Sequence, residues 1–180
     1  MPATIDLTAL ERQAAAFGVR AKTASQLPDR LATFLSRRLP PEAKRDIGKQ
    51  YNLRPSRIAQ GLRTLARSGA VELTASGSGI NLIEFGARQT PTGVTATVEN
   101  GKAPRQIPHG FIATAPNGKR LAFIRDLVGG RRTGRLPMRG LFGAYIAEML
   151  RNGDREKRLS DFAQEGCANE AARLLDMEIK

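Results

Sequence analysis

The sequence predicts an α+β fold, with helices at both ends of a central antiparallel sheet. Apolar residues recur at helical spacing up to about residue 67 and again from residue 140, whereas the period between them is two. Two Asn-Gly pairs follow strand-like runs, as is typical of hairpins. With 41% hydrophobic residues, a chain of 180 residues can bury a real core. We therefore predict segments 1–67, 68–139 and 140–180, which we expect to form one structural domain.

The N-terminal segment 1–67 is predicted to be helical throughout. A first helix covers the Ala-rich residues 6–16, and a second should stop at Leu39-Pro40-Pro41, because proline disfavours a continuing helix. Pro41 would open a third helix that ends near Tyr51. A fourth helix would run from Pro55 to about Arg67, where Gly69 supplies a left-handed cap.

The middle segment 68–139 is predicted to form short strands. Alternation favours strands over 70–75, 80–85 and 94–98. Each of the pairs Asn100-Gly101 and Asn117-Gly118 would form a two-residue type I′ turn, because both residue types tolerate positive φ.

The second of these hairpins is apolar on both faces. A two-residue turn at Asn117-Gly118 would pair Phe111 with Ile124 and Ile112 with Phe123, which places Leu121 beside Ile112 and Phe123 on one face. Each apolar face needs a cover, which could be a helix, the rest of the sheet or another subunit. The candidate core or subunit-interface residues are Phe111, Ile112, Leu121, Phe123 and Ile124.

The C-terminal part begins with a Gly- and Arg-rich stretch, 129–140, which is predicted to be an exposed loop. A helix should follow, with its apolar side formed by residues from Leu141 and Phe142 to Met149 and Leu150. Asn152-Gly153 would end it, and Asp154 would cap a last helix.

The positive charge is concentrated in two blocks. The formal net charge is +12. Residues 20–67 hold twelve Lys and Arg against three acids, and residues 101–139 hold nine against one. Such blocks indicate a contact face for a polyanion or an acidic protein, although scattered solvating charges remain the alternative.

Several classes of protein are disfavoured by the composition. The sequence contains no run of 18 apolar residues, so no membrane span is predicted. The first residues do not resemble a secretory signal. Cys167 is the single cysteine and His109 the single histidine, so we predict neither a disulfide nor a metal site nor a cofactor. His109, between a proline and a glycine, fits a turn better than a catalytic pair. We expect no enzyme.

A possible helix-turn-helix spans Ile47 to Arg63. In this interpretation Asn52 takes the left-handed turn position, and the second helix carries Arg57 and Gln60 to base edges, with Arg63 on phosphate. An equally good interpretation is a pair of helices that packs its apolar residues into a core.

The most specific stretch lies between Arg105 and Leu150. A hairpin with Gly118-Lys119 at its turn and Phe123-Ile124-Arg125 in its second strand is followed by Arg135-Leu136-Pro137-Met138 and Leu141-Phe142-Gly143. This arrangement resembles the prophage minor tail protein Z family, the tail-completion proteins of long-tailed phages. The similarity spans about 20–150, and Ala144-Tyr145 departs from the Pro-Ser of the family pattern.

The resemblance implies a structural virion protein at the head–tail junction. Such a subunit would assemble as a hexameric ring around the DNA path and would contact the tail terminator, tail tube and head connector proteins, with no membrane involved. Phage DNA in the channel would be a further, sequence-independent partner. The candidate contacts with DNA or a partner are Arg54, Arg57, Arg63, Arg67, Arg131, Arg132, Arg135 and Arg139. The alternative function is a DNA-binding regulator that uses residues 46–67.

Overall fold

The computed structural model describes residues 3–6, 21–67, 69–125, 127–128, 131–132 and 138–179. Side chains are described for 26–67, 69–125 and 138–177. In chain order the elements are β1 Ala3–Asp6, α1 Ala21–Gln50, α2 Pro55–Gly61, β2 Leu62–Arg67, β3 Ala70–Ala75, β4 Ile80–Asn81, a 3-10 helix Leu82–Phe85, β5 Arg88–Thr90, β6 Gly93–Ala96, β7 Arg105–Pro108, β8 Gly110–Thr114, β9 Arg120–Arg125, β10 Leu127–Val128, β11 Arg131–Arg132, β12 Met138–Gly140, β13 Phe142–Gly143, α3 Ile146–Arg151 and α4 Arg155–Ile179. The predicted α+β class is confirmed.

The chain forms two compact units, and each is built from segments that are distant in sequence. The first unit contains Met1–Asp46, Ala59–Ser76 and Leu150–Lys180, and the second contains Ile47–Ile58 and Gly77–Met149. The predicted segments 1–67, 68–139 and 140–180 do not coincide with these units, because each unit contains parts of all three segments.

The first unit packs two long helices and a small sheet around one core. The sheet has the antiparallel order β1–β3–β2. Leu31 and Leu35 of α1, Val71 of β3 and Ala163 of α4 are fully buried in the same cluster. The buried residues of each helix recur at intervals of about four, as expected for one helix face. Of the helices in the described part of the chain, none is long and apolar enough to cross a membrane.

Helix α1 continues through the two prolines that were predicted to break it. Pro40 and Pro41 both lie inside the 30-residue helix. Leu35, Leu39 and Ala43 are buried at four-residue intervals on either side of them, so one apolar face continues across the interruption. Proline's fixed φ is compatible with a helix, and burial of this face offsets the missing N–H donors.

The predicted helix from Pro55 to Arg67 is wrong in its second half, and segment 1–67 is not helical throughout. Helix α2 ends at Gly61, and β2 pairs with β3 in a register that joins Arg67 to Ala70. Gly69 has the expected left-handed backbone, with φ of 72°, but in a hairpin turn. Strand pairing and the burial of Leu62 override a weak local helix preference. The helix predicted over 6–16 lies mostly outside the described residues, and Asp6 is in β1.

The second unit is mainly antiparallel strands. Its sheets have the orders β5–β6–β7, β12–β9–β8 and β4–β13, with a further pair β10–β11. Its most deeply buried side chains are Ile47, Ile58, Ile80, Phe85, Val94, Ala122, Ile146 and Met149.

The strand predicted over 80–85 is only two residues long. Asn81 caps a 3-10 helix, since its side-chain oxygen accepts a hydrogen bond from the Ile83 N–H at 3.1 Å. Gly86 ends that helix with φ of 71°. The local side-chain bond of an asparagine thus competes with continued strand pairing.

Neither Asn-Gly pair forms the predicted type I′ hairpin turn, since only the glycine of each pair has positive φ. The first pair lies at the centre of a turn in which the Lys102 N–H donates to the Glu99 carbonyl, but this turn is within an eight-residue connection, because β6 pairs with β7 and Ala96 is the partner of Arg105. In the second, the Gly118 N–H donates to the Ala115 carbonyl, and only Gly118 has positive φ. Pro116 supplies the first central residue of a type I turn, which gives a longer loop.

This longer turn shifts the hairpin register by one residue. Phe111 pairs with Phe123 and Ile112 with Ala122, not with Ile124 and Phe123 as predicted. One face therefore carries Phe111, Leu121 and Phe123, and the other carries Ile112 and Ile124. A one-residue shift exchanges the faces of one strand relative to its partner.

The region after this hairpin is more extended than predicted. Backbone strands occur at Arg131–Arg132 and Met138–Gly140 within the predicted loop. The predicted helix begins only at Ile146, because Leu141 bonds to Ala122 and Leu82, and Phe142–Gly143 pairs with β4. The break at Gly153 is confirmed, and the Asp154 carbonyl accepts the first hydrogen bond of α4 as expected for a cap.

Candidate basic surface and interface hairpin

The excess of positive charge lies in the second unit. Its described side chains comprise ten lysines and arginines and three glutamates, a formal charge of +7. The described side chains of the first unit comprise twelve lysines and arginines and ten acids, a formal charge of +2. Most of the first basic block thus shares a unit with the acids of α4. The second block keeps its charge. Nine of the ten cations in the second unit are exposed, namely Lys49, Arg54, Arg88, Lys102, Arg105, Lys119, Arg120, Arg125 and Arg139.

The predicted contact arginines are divided between the two units. Arg54 precedes α2, Arg57 is half-buried within it, and Arg139 is exposed on β12, all in the second unit. Arg63 and Arg67 are exposed on β2 in the first unit. Arg131 and Arg132 form β11, of which the backbone is described, and Arg135 lies outside the described residues.

The segment proposed as a helix-turn-helix departs from the predicted geometry. Helix α2 has seven residues, and Arg63 lies beyond it on a strand. Asn52 is not left-handed. Its side chain donates hydrogen bonds to the Phe85 and Thr97 carbonyls, both at 3.1 Å, and so joins the helix connection to the strand region of its own unit. Ile58 is fully buried, as the core-packing interpretation predicts.

The large apolar side chains of the β8–β9 hairpin are only half-buried. The inner face, which carries Ile112, Ala122 and Ile124, is covered in part. Ala122 is fully buried, and a side chain at Gly110 would meet Val94. On the outer face the rings of Phe111 and Phe123 stack with centroids 5.9 Å apart. The Arg125 guanidinium lies 5.0 Å from the Phe111 ring, a favourable cation–π contact.

The five candidate interface residues share this partial exposure. None of Phe111, Ile112, Leu121, Phe123 and Ile124 belongs to the buried core of the second unit. The exposed Met138 pairs with Arg125 at the edge of the same outer face and extends it. An apolar sheet face bordered by exposed cations is suited to contact with another macromolecule.

Side-chain amides hold this hairpin in place, which the sequence did not reveal. The buried Asn81 both accepts a hydrogen bond from the Ala122 N–H at 2.8 Å and donates one to its carbonyl at 3.0 Å. Gln89 accepts from the Ile112 N–H at 2.8 Å and donates to the Gly93 carbonyl at 3.0 Å. The amides thus supply partners to main-chain groups of β8 and β9, and the Ala122 carbonyl accepts a second bond from the Leu141 N–H.

A buried ion pair in the first unit also went unpredicted. Arg155 is 1% exposed, and its Nε donates to Asp46 Oδ2 at 3.0 Å, while Arg158 donates to the same oxygen at 2.7 Å. Burial alone would raise the pKa of Asp46, but the hydrogen bonds and charges of Arg158 and Arg155 outweigh it and lower the pKa.

Cys167 and His109, the single cysteine and the single histidine of the chain, lie in a core and in a turn. Cys167 is buried in the first-unit core, and burial raises the pKa of its thiol to about 11, so the reactive thiolate is disfavoured at neutral pH. His109 has φ of 65° in the tight turn between β7 and β8, and its N–H donates to the Thr92 carbonyl. In the part of the chain that the structure describes, no group of three or more His, Cys, Asp or Glu is arranged to hold a metal ion.

Comparisons with protein-family models, curated proteins and solved structures gave no match.

Proposed function

We propose that the protein is a structural virion component of a long-tailed phage, a tail-completion or neck subunit at the head–tail junction. The observation that carries this proposal is the combination in one unit of a formal charge of +7 on the described side chains with a hairpin whose large apolar side chains remain half-buried. A ring subunit around DNA needs both features, because it must contact its neighbours and tolerate a polyanion. The similarity of residues 105–150 to the prophage minor tail protein Z family supports the same function. Such a subunit has no catalytic role.

The proposal is tested by deleting the gene from the phage that carries it. We expect tails that join heads poorly, with infectivity restored by the wild-type chain and not by the double variant Phe111→Asp, Phe123→Asp. The variant Asn117→Ala, at the exposed hairpin turn, is the matched control and should restore infectivity. Normal infectivity of the deletion phage would contradict the proposal.

The DNA-regulator alternative makes a different prediction. A regulator would bind one duplex sequence, and Arg57→Ala or Gln60→Ala would each cost about 1–3 kcal/mol of binding. The neck function predicts weak binding that does not depend on sequence and is lost at moderate salt. Electrophoretic mobility shifts with a random duplex pool at two salt concentrations separate the two functions.

A further inference from the structure

A groove of about 670 Å³ in the second unit has an apolar floor. Leu82, Ala96 and Val98 line it, together with Ile107 of β7 and Phe142 of β13. Leu82 and Ala96 are buried beneath it, so the floor is fixed by the core. A groove of this size and composition is suited to apolar side chains of a ligand.

Phe142 is held in position although most of its surface is exposed. The side chain is 61% exposed. A Cβ atom at Gly140 would lie 2.7 Å from Cε2 of the ring, and one at Gly79 would lie 3.2 Å from the Phe142 Cβ. Two glycines therefore make room for an aromatic ring that the core does not use. An exposed aromatic side chain with a fixed position costs little conformational entropy on binding.

Strand β7 is an edge strand and borders the groove. Because the His109 N–H donates to the Thr92 carbonyl, the antiparallel register directs the main-chain groups of Ile107 towards β6 and those of Gln106 away from it. The Gln106 side chain is occupied by a hydrogen bond to Thr92. Among the described residues, β7 has no strand partner on its outer side. On that side Gln106 offers an N–H and a carbonyl, and Pro108 offers a carbonyl only, because proline has no N–H. An added strand can pair with these three groups.

The charge around the groove favours an acidic ligand. Arg105 lines the groove, is exposed and forms no ion pair with any described residue. Lys102 lines it too and pairs with Glu99 at 2.7 Å. A nucleic-acid strand would meet one unpaired cation and an apolar floor, which suits a phosphate backbone poorly.

We propose that this groove binds an extended, acidic and apolar segment of a partner protein, which adds as a short strand to the outer edge of β7. About four residues fit along β7, which is about 13 Å long at the usual rise of a strand. Apolar side chains at alternate positions contact the floor and Phe142, and an acidic side chain pairs with Arg105. This binding mode goes beyond the proposed neck function and does not depend on it.

The test uses the full chain and the fluorescein-labelled peptide Asp-Thr-Val-Thr-Val-Thr-Asp, whose acidic and apolar side chains lie on one face of a strand, as Arg105 and Ile107 do on β7. Binding is followed by fluorescence polarisation, and amide NMR shifts locate the site. We expect shifts at Gln106 and Gly143. The same peptide with lysine for aspartate, and one N-methylated at alternate residues, should each bind at least about tenfold more weakly.

Variants distinguish binding in the groove from non-specific binding elsewhere on the surface. Phe142→Ala and Arg105→Glu should each weaken binding about tenfold. Arg88→Glu, which reverses a charge at the opposite edge of the same sheet, and Leu65→Ala, which removes an exposed apolar side chain of the first unit, should change it less than about twofold. Circular dichroism confirms that each variant folds.

Three results would overturn the proposal. The first is no binding at millimolar peptide. The second is that Arg105→Glu and Phe142→Ala bind the peptide as tightly as the wild-type chain does, and the third is that the N-methylated peptide binds as tightly as the unmodified one. Tighter binding of a ten-nucleotide oligothymidine that Phe142→Ala abolishes would also overturn it, in favour of a nucleic-acid groove. Because these measurements use the isolated chain, their failure leaves the infectivity test of the neck function unaffected.

Discussion

Single polar side chains determine how several segments of this protein are joined. Asn52, Asn81 and Gln89 each bond main-chain groups that are distant in sequence within the second unit. Asn100 does the same at the end of α1, where its side chain donates to the Gly48 and Lys49 carbonyls at 3.1 and 3.2 Å. Carbonyls in the last turn of a helix otherwise lack partners, so this asparagine completes the helix end.

Removing the amide of Asn81 should destabilise the second unit strongly. Asn81→Leu preserves the approximate volume but leaves the buried Ala122 N–H without this acceptor, while the Ala122 carbonyl keeps its bond from the Leu141 N–H. We expect the free energy of unfolding to fall by about 2 kcal/mol, since a buried group left unpaired costs about 1–3 kcal/mol. Urea unfolding followed by circular dichroism measures it. Asn117→Ala, which removes one exposed turn bond to the Lys119 N–H, should cost less than about 1 kcal/mol; equal losses for the two variants would contradict the role of Asn81.

The Asp46 ion pair makes stability depend on acid pH. The pKa of Asp46 is lowered in the folded state, so its contribution is complete above the unfolded pKa of about 3.9 and is lost as the pH falls through the folded pKa. Asp46→Asn leaves Arg155 buried without its carboxylate and should cost about 3 kcal/mol at pH 7.

Urea unfolding at pH 7 and at about pH 2.5 measures the difference, which should shrink at the lower pH. Glu42→Gln is the control within the same helix. It removes a surface pair with Arg45 and should cost no more than about 1 kcal/mol. A loss for Asp46→Asn that stays constant across this pH range would show that the carboxylate charge is not the cause.

Among the elements, α1 differs most from a helix that local preference would select. Two consecutive prolines lie inside it, and the buried face continues on both sides of them. Because the helix is continuous, Pro41→Ala restores a donor to the Arg37 carbonyl and should raise the free energy of unfolding by about 1 kcal/mol.

Thermal and urea unfolding of Pro41→Ala measure this change. If Pro41 began a separate helix, where a missing donor has no effect, the substitution would bring no such gain. Asp29→Ala in the same helix, at an exposed position where donors are intact, is the control and should leave stability within about 0.5 kcal/mol.

Sequence predicted these elements well where burial alternates along a single face. Val71 and Leu73 are buried on β3, as their spacing of two indicated. The β8–β9 register was wrong by one residue because Pro116 selects a type I turn before Asn117-Gly118. The Asp46–Arg155 pair and the packing of Phe142 against Gly79 and Gly140 could not be predicted, since each depends on residues brought together only by the tertiary fold. Helix α2 was cut short by a strand partner that local propensity does not include.

At the scale of the whole molecule, charge repulsion opposes folding. The formal charge of +12 is carried mainly by the second unit among the described side chains. We expect the melting temperature to rise by a few degrees, roughly 2–6 °C, when NaCl increases from about 20 to about 300 mM, because salt screens like charges at the surface. Differential scanning calorimetry measures the shift. A melting temperature that falls with salt would show that surface ion pairs outweigh the repulsion.

The buried thiol in the core of the first unit is a natural probe of how often that core opens. Cys167 is the single cysteine of the chain, and it lies among the side chains that join α1, β3 and α4. A thiol reagent at neutral pH can modify it only when those elements separate, so the modification rate reports how often this core opens. Mass spectrometry of intact protein would read that rate without an introduced label.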